Sequence, residues 1–151
     1  MDVDANTRVA VIGLGYVGLP LAVALARHFN VIGVDINAER VAELKAGEDR
    51  TGEVEPDRLA ASTLAYATDI AEAAGSAIFI VTVPTPVDQA NQPDLRPVLG
   101  ATRAIAGILP QSPGAIIVYE STVYPGLTED FCGPILAQVS GLNQESDFRI
   151  G

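Results

Sequence analysis

Cations are scarce in this chain. Nine lysine and arginine residues stand against nineteen aspartate and glutamate, a formal net charge of -10 at pH 7. A surface for nucleic acid or for an anionic membrane needs concentrated positive charge, so neither partner is expected, and the excess acid reads as solvated surface. Cysteine is rarer still. Cys132 alone permits no internal disulfide and no cysteine-based zinc site, which fits a reducing compartment and makes cytoplasm the expected address. No metal site is expected. No apolar run approaches the ~20 residues that span a bilayer, and the opening Met1-Asp2-Val3-Asp4 is acidic where a targeting segment is basic, so neither kind of segment is expected. The single histidine, His28, falls at the end of the first predicted helix, where complementing the dipole outweighs a role as catalytic base.

Apolar residues, by contrast, make up 48% of the 151, enough to fill the core of one domain. The chain is organised around Val9-Ala10-Val11-Ile12-Gly13-Leu14-Gly15-Tyr16-Val17-Gly18-Leu19-Pro20. Val9 to Ile12 is a short apolar run rich in β-branched residues, as in a parallel strand covered on both faces. Gly13 turns the chain. Gly15, without a Cβ, lets backbone approach a pyrophosphate, the amides that open the next helix supply donors and positive dipole, and Gly18 allows that helix to pack closely on the strand. Three glycines at this spacing are weak evidence alone, so context decides. A second strand, Asn30 to Asp35, ends in an acid about 20 residues beyond the glycines. A carboxylate there accepts from the adenosine ribose hydroxyls and repels a 2′-phosphate, which predicts NAD rather than NADP. The competing role for Asp35 is capping the helix that starts near Asn37.

The remaining elements follow in order. Leu14 to Arg27 reads as the first helix, with Val17, Leu21 and Leu25 on one side and Ala22, Ala24 and Ala26 permitting close packing. Asn37 caps a helix over Ala38 to Ala46 that turns Val41 and Leu44 inward and stops at Gly47. Arg40, one turn past Asp35, fits equally a contact with the adenosine side of a cofactor and an ordinary exposed helix arginine. Gly47 to Pro56 is a polar, acidic loop whose composition names no role. A short helix over Asp57 to Ala61, a strand over Leu64 to Thr68, and a turn of helix from Ile70 to Ala74 capped by Asp69 come next. Ala77 to Val83 is a buried strand ended by Pro84-Thr85-Pro86. Asp94 caps a helix over Leu95 to Leu109, Ala115 to Tyr119 is a fifth strand, Pro125-Gly126 introduces a last helix, and Phe148 opens a sixth strand. Cys132 is placed on an apolar stripe with Phe131, Ile135 and Val139, as inert core rather than nucleophile.

Alternating strands and helices predict a single α/β domain over residues 1 to 151, a doubly wound parallel sheet of about six strands in the order 3-2-1-4-5-6, the Rossmann fold. Ligands of such sheets bind beyond the carboxyl ends of the strands, at the switch between strands one and four. Three strand ends should line that cleft: Gly13 to Gly18, Val83-Pro84-Thr85, and Glu120-Ser121-Thr122. Ordinary turn chemistry is the alternative for the last two.

These residues resemble the UDP-glucose/GDP-mannose dehydrogenase family from about Arg8 to Gly151. Val-Ile-Gly-Leu-Gly-Tyr-Val-Gly-Leu-Pro-Leu-Ala, Gly-Val-Asp-Ile-Asn, Val-Pro-Thr-Pro-Val-Asp with Pro-Asp-Leu, and Tyr-Glu-Ser-Thr-Val-Tyr-Pro-Gly-Leu-Thr-Glu occur in the family's order. The last two, with Ser-Gly-Leu at 140 to 142, look most like the branch acting on UDP-N-acetylhexosamines. The resemblance implies oxidation of a UDP-sugar C6 alcohol to the uronic acid, with two NAD, through an aldehyde and a cysteine thioester, in polysaccharide precursor synthesis. It implies that Tyr16, Val17 and Thr85 contact NAD, beside the candidates Gly13, Leu14, Gly15, Gly18, Asp35, Ile36, Arg40, Val83, Pro84 and Ser121 at the strand ends and the start of the second helix. Thr122 is implied to sit near the nicotinamide and help position a catalytic water. The family's catalytic cysteine, its lysine and asparagine, a dimerisation helix and the UDP-binding domain lie beyond Gly151, so this chain resembles the cofactor half of an enzyme that is a homodimer at full length. A β-hydroxyacid-type dehydrogenase and a stand-alone NAD-binding module are the rival readings.

Overall fold

The computed structural model describes residues 3–120 and 127–151. Its elements run β1 (Arg8–Ile12), α1 (Gly18–Ala26), β2 (Asn30–Val34), α2 (Ala38–Lys45), α3 (Pro56–Ala61), β3 (Ala65–Ala67), β4 (Ile78–Val81), α4 (Arg96–Ile108), β5 (Ala115–Tyr119), α5 (Gly133–Ser140) and β6 (Phe148–Ile150). A 3-10 turn at Ile70–Ala73 precedes β4, and Asp69 caps it by accepting from the Ala71 N–H. The six strands form one parallel sheet in the order β3-β2-β1-β4-β5-β6, the predicted order. None of the described helices is long and apolar enough to cross a membrane.

The continuous apolar strands feed two cores. Side chains alternate across a strand, so Ala10 and Ile12 of β1 join Phe79, Val81, Ile105 and Leu136 on the α4–α5 face. Val9 and Val11 join Leu19, Ala22, Val23 and Leu44 on the α1–α2 face. Truncating one of the large members, such as Leu19, Leu44, Phe79, Ile105 or Leu136, to alanine costs about 2–5 kcal/mol, which keeps the register fixed. With Val9 opposite Ile78 and Ile12 opposite both Val34 and Val81, the carboxyl ends of β1, β2 and β4 finish level.

Two helix faces differ from expectation. The first helix begins at Gly18 rather than Leu14, and Gly18, Leu19, Ala22, Val23 and Ala26 turn inward while Val17 is 60% exposed. The expected Val17-Leu21-Leu25 side is therefore not the packed one. In the last helix Cys132 is fully buried with Leu127 and Val98, as expected of inert core. Phe131 and Val139, placed with it on one stripe, are instead exposed. A wide helical turn over Thr128–Cys132, closed from the Gly133 N–H to the Thr128 carbonyl, precedes α5. With about 100° per residue, Cys132 and Leu136 point at the core and the row beginning at Phe131 points away. Pro125 and Gly126 lie outside the described residues.

Candidate active site cleft

The turn between β1 and α1 owes its shape to its glycines. Gly13 has φ +99°, and a Cβ there would lie 2.9 Å from the Val83 backbone nitrogen on β4's extension. A Cβ on Gly18 would lie 1.8 Å from the Gly13 carbonyl oxygen, so only glycine lets α1 descend this close to the strand. Gly15 is different: among the described residues, its chain neighbours aside, nothing comes within 4 Å of where its Cβ would be, and it lines the cavity described below. No side chain caps the start of α1. Its positive end is therefore directed at the same space.

Leu14 pins the turn. Its side chain is fully buried against Gly33 of β2, where a Cβ would come within 2.7 Å of Leu14 Cδ2. Its N–H donates to Asp35 Oδ2 at 2.9 Å. Asp35 Oδ1 accepts from the Asn37 N–H at 2.9 Å, and Asn37 in turn caps α2 through its side chain. Asp35 thus joins the glycine turn to the residue before α2; the cap of that helix is Asn37 and not Asp35. An ionised carboxylate accepts about four hydrogen bonds, and two acceptor sites remain.

A cavity of about 800 Å³ opens above the level strand ends. Gly13, Leu14, Gly15, Asp35, Ile36, Val83 and Pro84 line it, which brings together seven of the expected residues from three strand ends. Ile36 is 95% exposed at its rim. Tyr16 and Val17 are exposed beside the turn, Gly18 is buried beneath it, and Thr85 is half-buried just past Pro84; none of these four lines the cavity. Arg40 is buried, not exposed, and stands behind the turn with its Nε donating to the Leu14 carbonyl at 2.8 Å. Ser121 and Thr122 lie outside the described residues.

Residues not anticipated complete the walls. Thr68, Asp69 and Ile70 follow β3, and Arg96, Pro97, Gly100, Ala101 and Ala104 come from α4. The small residues at 97, 100, 101 and 104 recur at helical spacing and give α4 a flat face toward the cleft, a signal present in the sequence. Arg96 is the one cation among the described residues of the cavity wall, held by Asp94, which accepts from its Nη2 at 2.7 Å and its Nε at 2.9 Å. Thr82 was also missed: its hydroxyl donates to the Gly13 carbonyl at 2.7 Å and fastens the turn to β4. A smaller groove of about 470 Å³ between α1 and α3 faces no strand end.

The arrangement fits a dinucleotide. Open space over Gly15, an uncapped helix start and a carboxylate with free acceptor sites at the end of β2 match a pyrophosphate and a ribose diol, and the volume lies within the ordinary range of small-molecule sites.

Comparison with known proteins bears this out. Residues 7–151 match the model of the UDP-glucose/GDP-mannose dehydrogenase family, NAD binding domain. Over 147 residues, 97% of this chain, the sequence is 48% identical to UDP-N-acetyl-D-glucosamine 6-dehydrogenase from Pseudomonas aeruginosa, covering 34% of that protein. Protein CapL of Staphylococcus aureus is 44% identical over 97% of this chain and 34% of its own length. A solved structure of UDP-D-ManNAc dehydrogenase from Pyrococcus horikoshii superposes with a TM-score of 0.84 at 33% identity, over 95% of this chain and 35% of that one. The ternary complex of GDP-mannose dehydrogenase from Pseudomonas aeruginosa gives 0.85 at 29% identity, again over 95% and 35%. The chain spans about a third of the length of these relatives. A glycine turn whose Gly15 borders the cavity and a family match over nearly every residue agree: the chain belongs to the UDP-glucose/GDP-mannose dehydrogenase family, as its NAD-binding domain.

Proposed function

We propose that this domain holds NAD for a longer nucleotide-sugar 6-dehydrogenase, which oxidises the C6 alcohol of a UDP-N-acetylhexosamine to the uronic acid. The observation that carries the reading is the glycine turn facing Asp35 across one cavity, with Gly15 open to it. The amides of Gly15 to Val17 bind the pyrophosphate, Asp35 orients the adenosine ribose and excludes a 2′-phosphate, and Ile36 covers the adenosine at the rim. Val83, Pro84 and Thr85 border the nicotinamide half, with Ser121 and Thr122 completing it. Thr122 positions the water. When bound, the nicotinamide ring accepts a hydride.

The identity to UDP-N-acetyl-D-glucosamine 6-dehydrogenase supports the choice of sugar. The rest of the enzyme, a dimerisation helix and a UDP-binding domain with the thiol nucleophile, follows this domain in the same polypeptide, which works as a cytoplasmic homodimer supplying uronic acids for polysaccharide. Calorimetric titration with NAD and NADP tests the cofactor assignment. NAD should bind more tightly; equal or tighter NADP binding removes Asp35 from the ribose.

A further inference from the structure

The acidic loop from Gly47 to Pro56 is built around one carboxylate. The Asp49 side chain is 1% exposed. It accepts from the Thr51 hydroxyl at 2.6 Å, from the Thr51 N–H at 3.0 Å and from the Val54 N–H at 3.0 Å, and it pairs with Arg40 Nη1 at 2.9 Å. Glu43 shares that nitrogen of Arg40 and also binds Arg50. Arg40 lies with one edge against the loop and the other against the glycine turn, where its Nε donates to the Leu14 carbonyl. The Leu14 N–H donates to Asp35. One run of hydrogen bonds therefore connects the 47–56 loop to the carboxylate at the end of β2, through both peptide groups that flank Leu14.

The geometry has a consequence for Gly15. A trans peptide is planar, so a Leu14 carbonyl held toward Arg40 directs the Gly15 N–H the opposite way, away from α2. Arg40 Nη2 is buried and finds no hydrogen-bond partner among the described residues. Buried ion pairs add little net stability compared with apolar packing, so a guanidinium kept there with a bare donor is better explained by what its Nε fixes.

We infer that Arg40 and Asp49 are positioning residues for the dinucleotide: Asp49 fixes the guanidinium, and the guanidinium fixes Leu14 so that the Gly15 amide and the Asp35 carboxylate are oriented before the cofactor arrives. The inference rests on the reading of the cleft as an NAD site. Arg40 acts on the turn through Leu14, and the loop is a clamp rather than a lid. Lysine cannot replace arginine here, because a single ammonium cannot reach the Leu14 carbonyl and Asp49 from two edges.

Calorimetry with NAD and NADP on the wild-type chain, Asp49→Asn and Arg40→Lys tests this, alongside thermal melts and amide NMR spectra without cofactor. At temperatures where the melts show full folding, both variants should bind NAD about tenfold more weakly, the equivalent of one charged hydrogen bond, and should discriminate less against NADP. Their Leu14 and Gly15 amide resonances should shift while that of Ile117, in β5, does not. Should either variant fail to fold, Thr51→Val removes one donor from Asp49 and leaves the ion pair; about a threefold loss is expected. Unchanged affinity and selectivity in folded variants, with only the melting temperature lowered, overturns the positioning role. If the wild-type chain binds no NAD, the cofactor reading fails, and the Leu14 and Gly15 resonances still decide whether the clamp exists.

Discussion

The backbone N–H of Leu14 donates to Asp35 Oδ2 at 2.9 Å, so the glycine turn and the acid at the end of β2 are one hydrogen-bonded unit. Asp35→Ala removes both the anion that repels a 2′-phosphate and the acceptor that steadies the turn. NAD affinity should fall and the preference over NADP should narrow by a few kcal/mol, on the order of a charged hydrogen bond. Calorimetry with both cofactors measures it, and a variant that keeps the wild-type ratio assigns selectivity elsewhere.

The glycines of the turn separate stability from binding. Gly18→Ala drives a methyl group to 1.8 Å from the Gly13 carbonyl, which Thr82 already holds, so the chain must shift and about 2 kcal/mol or more of stability is lost. Gly15→Ala places its methyl group in open space, leaving stability within about 0.5 kcal/mol of wild type. It should nevertheless weaken NAD binding by about tenfold or more, because the methyl group occupies the approach of the pyrophosphate. Chemical denaturation and calorimetry on the pair check the contrast; NAD binding intact in Gly15→Ala contradicts the assigned pose.

Asp49 contributes to acid stability. Burial pushes its carboxyl up from the ordinary 3.8, and this is outweighed by hydrogen bonds from the Thr51 hydroxyl, the Val54 N–H, Arg40 and the Thr51 N–H, which hold it at about 2. A pKa lower in the folded than in the unfolded chain adds stability above the unfolded value and loses it as pH falls toward the folded one. On the order of 2 kcal/mol should therefore disappear between about pH 4 and pH 2. Urea melts across that range should show a shallower decline for Asp49→Asn than for the wild-type chain.

Cys132 should resist modification. It is fully buried with Val98, Leu127 and Tyr119, whose hydroxyl is hydrogen-bonded to Thr102 at 2.8 Å and whose ionisation is pushed up by burial. Thiol labelling of the native chain should run far more slowly than in denaturant, and labelling at the rate of a free cysteine would place the thiol at the surface.

Much of this was legible because it is local. Strands such as Val9 to Ile12 and Ala115 to Tyr119 declare themselves by β-branched runs, and the crossover rule then leaves one sheet order. The glycine turn and Asp35 could be read from spacing. Helix faces were harder: starting the first helix four residues early turned Val17 inward, whereas contact of Gly18 with the Gly13 carbonyl decides which row packs. The wide turn before α5 displaced Phe131 from the expected stripe in the same way. Least legible was the pairing of Arg40 with Asp49, since no periodicity links a helix arginine to an acid in an irregular loop. The cleft wall from α4 was hidden by its plain residues, alanine and glycine, which mark a site only once a sheet faces them.

The 151-residue chain should show no dehydrogenase turnover with any UDP-sugar. Oxidising the C6 alcohol to an acid needs the sugar carbon held against the nicotinamide, a base for the hydroxyl proton and a nucleophile that traps the aldehyde. In a doubly wound sheet the helices begin at the cleft and end at the opposite edge. His28 follows the end of α1 and Lys45 closes α2, so the single histidine and the single lysine both sit far from the strand ends that line the cavity. The single thiol, Cys132, is sealed in the core. Among the described residues the cavity wall offers glycines, apolar side chains, the Thr68 hydroxyl, Arg96 and two carboxylates, Asp35 and Asp69, one of which already holds the glycine turn and the other a capped turn. Such a wall binds and orients a cofactor without supplying a nucleophile. Incubation at high protein concentration with excess NAD and either UDP-glucose or UDP-N-acetylhexosamines should give no rise in NADH absorbance above the rate without protein. Steady NADH formation in proportion to the chain would mean that a proton acceptor and an aldehyde trap exist within these 151 residues.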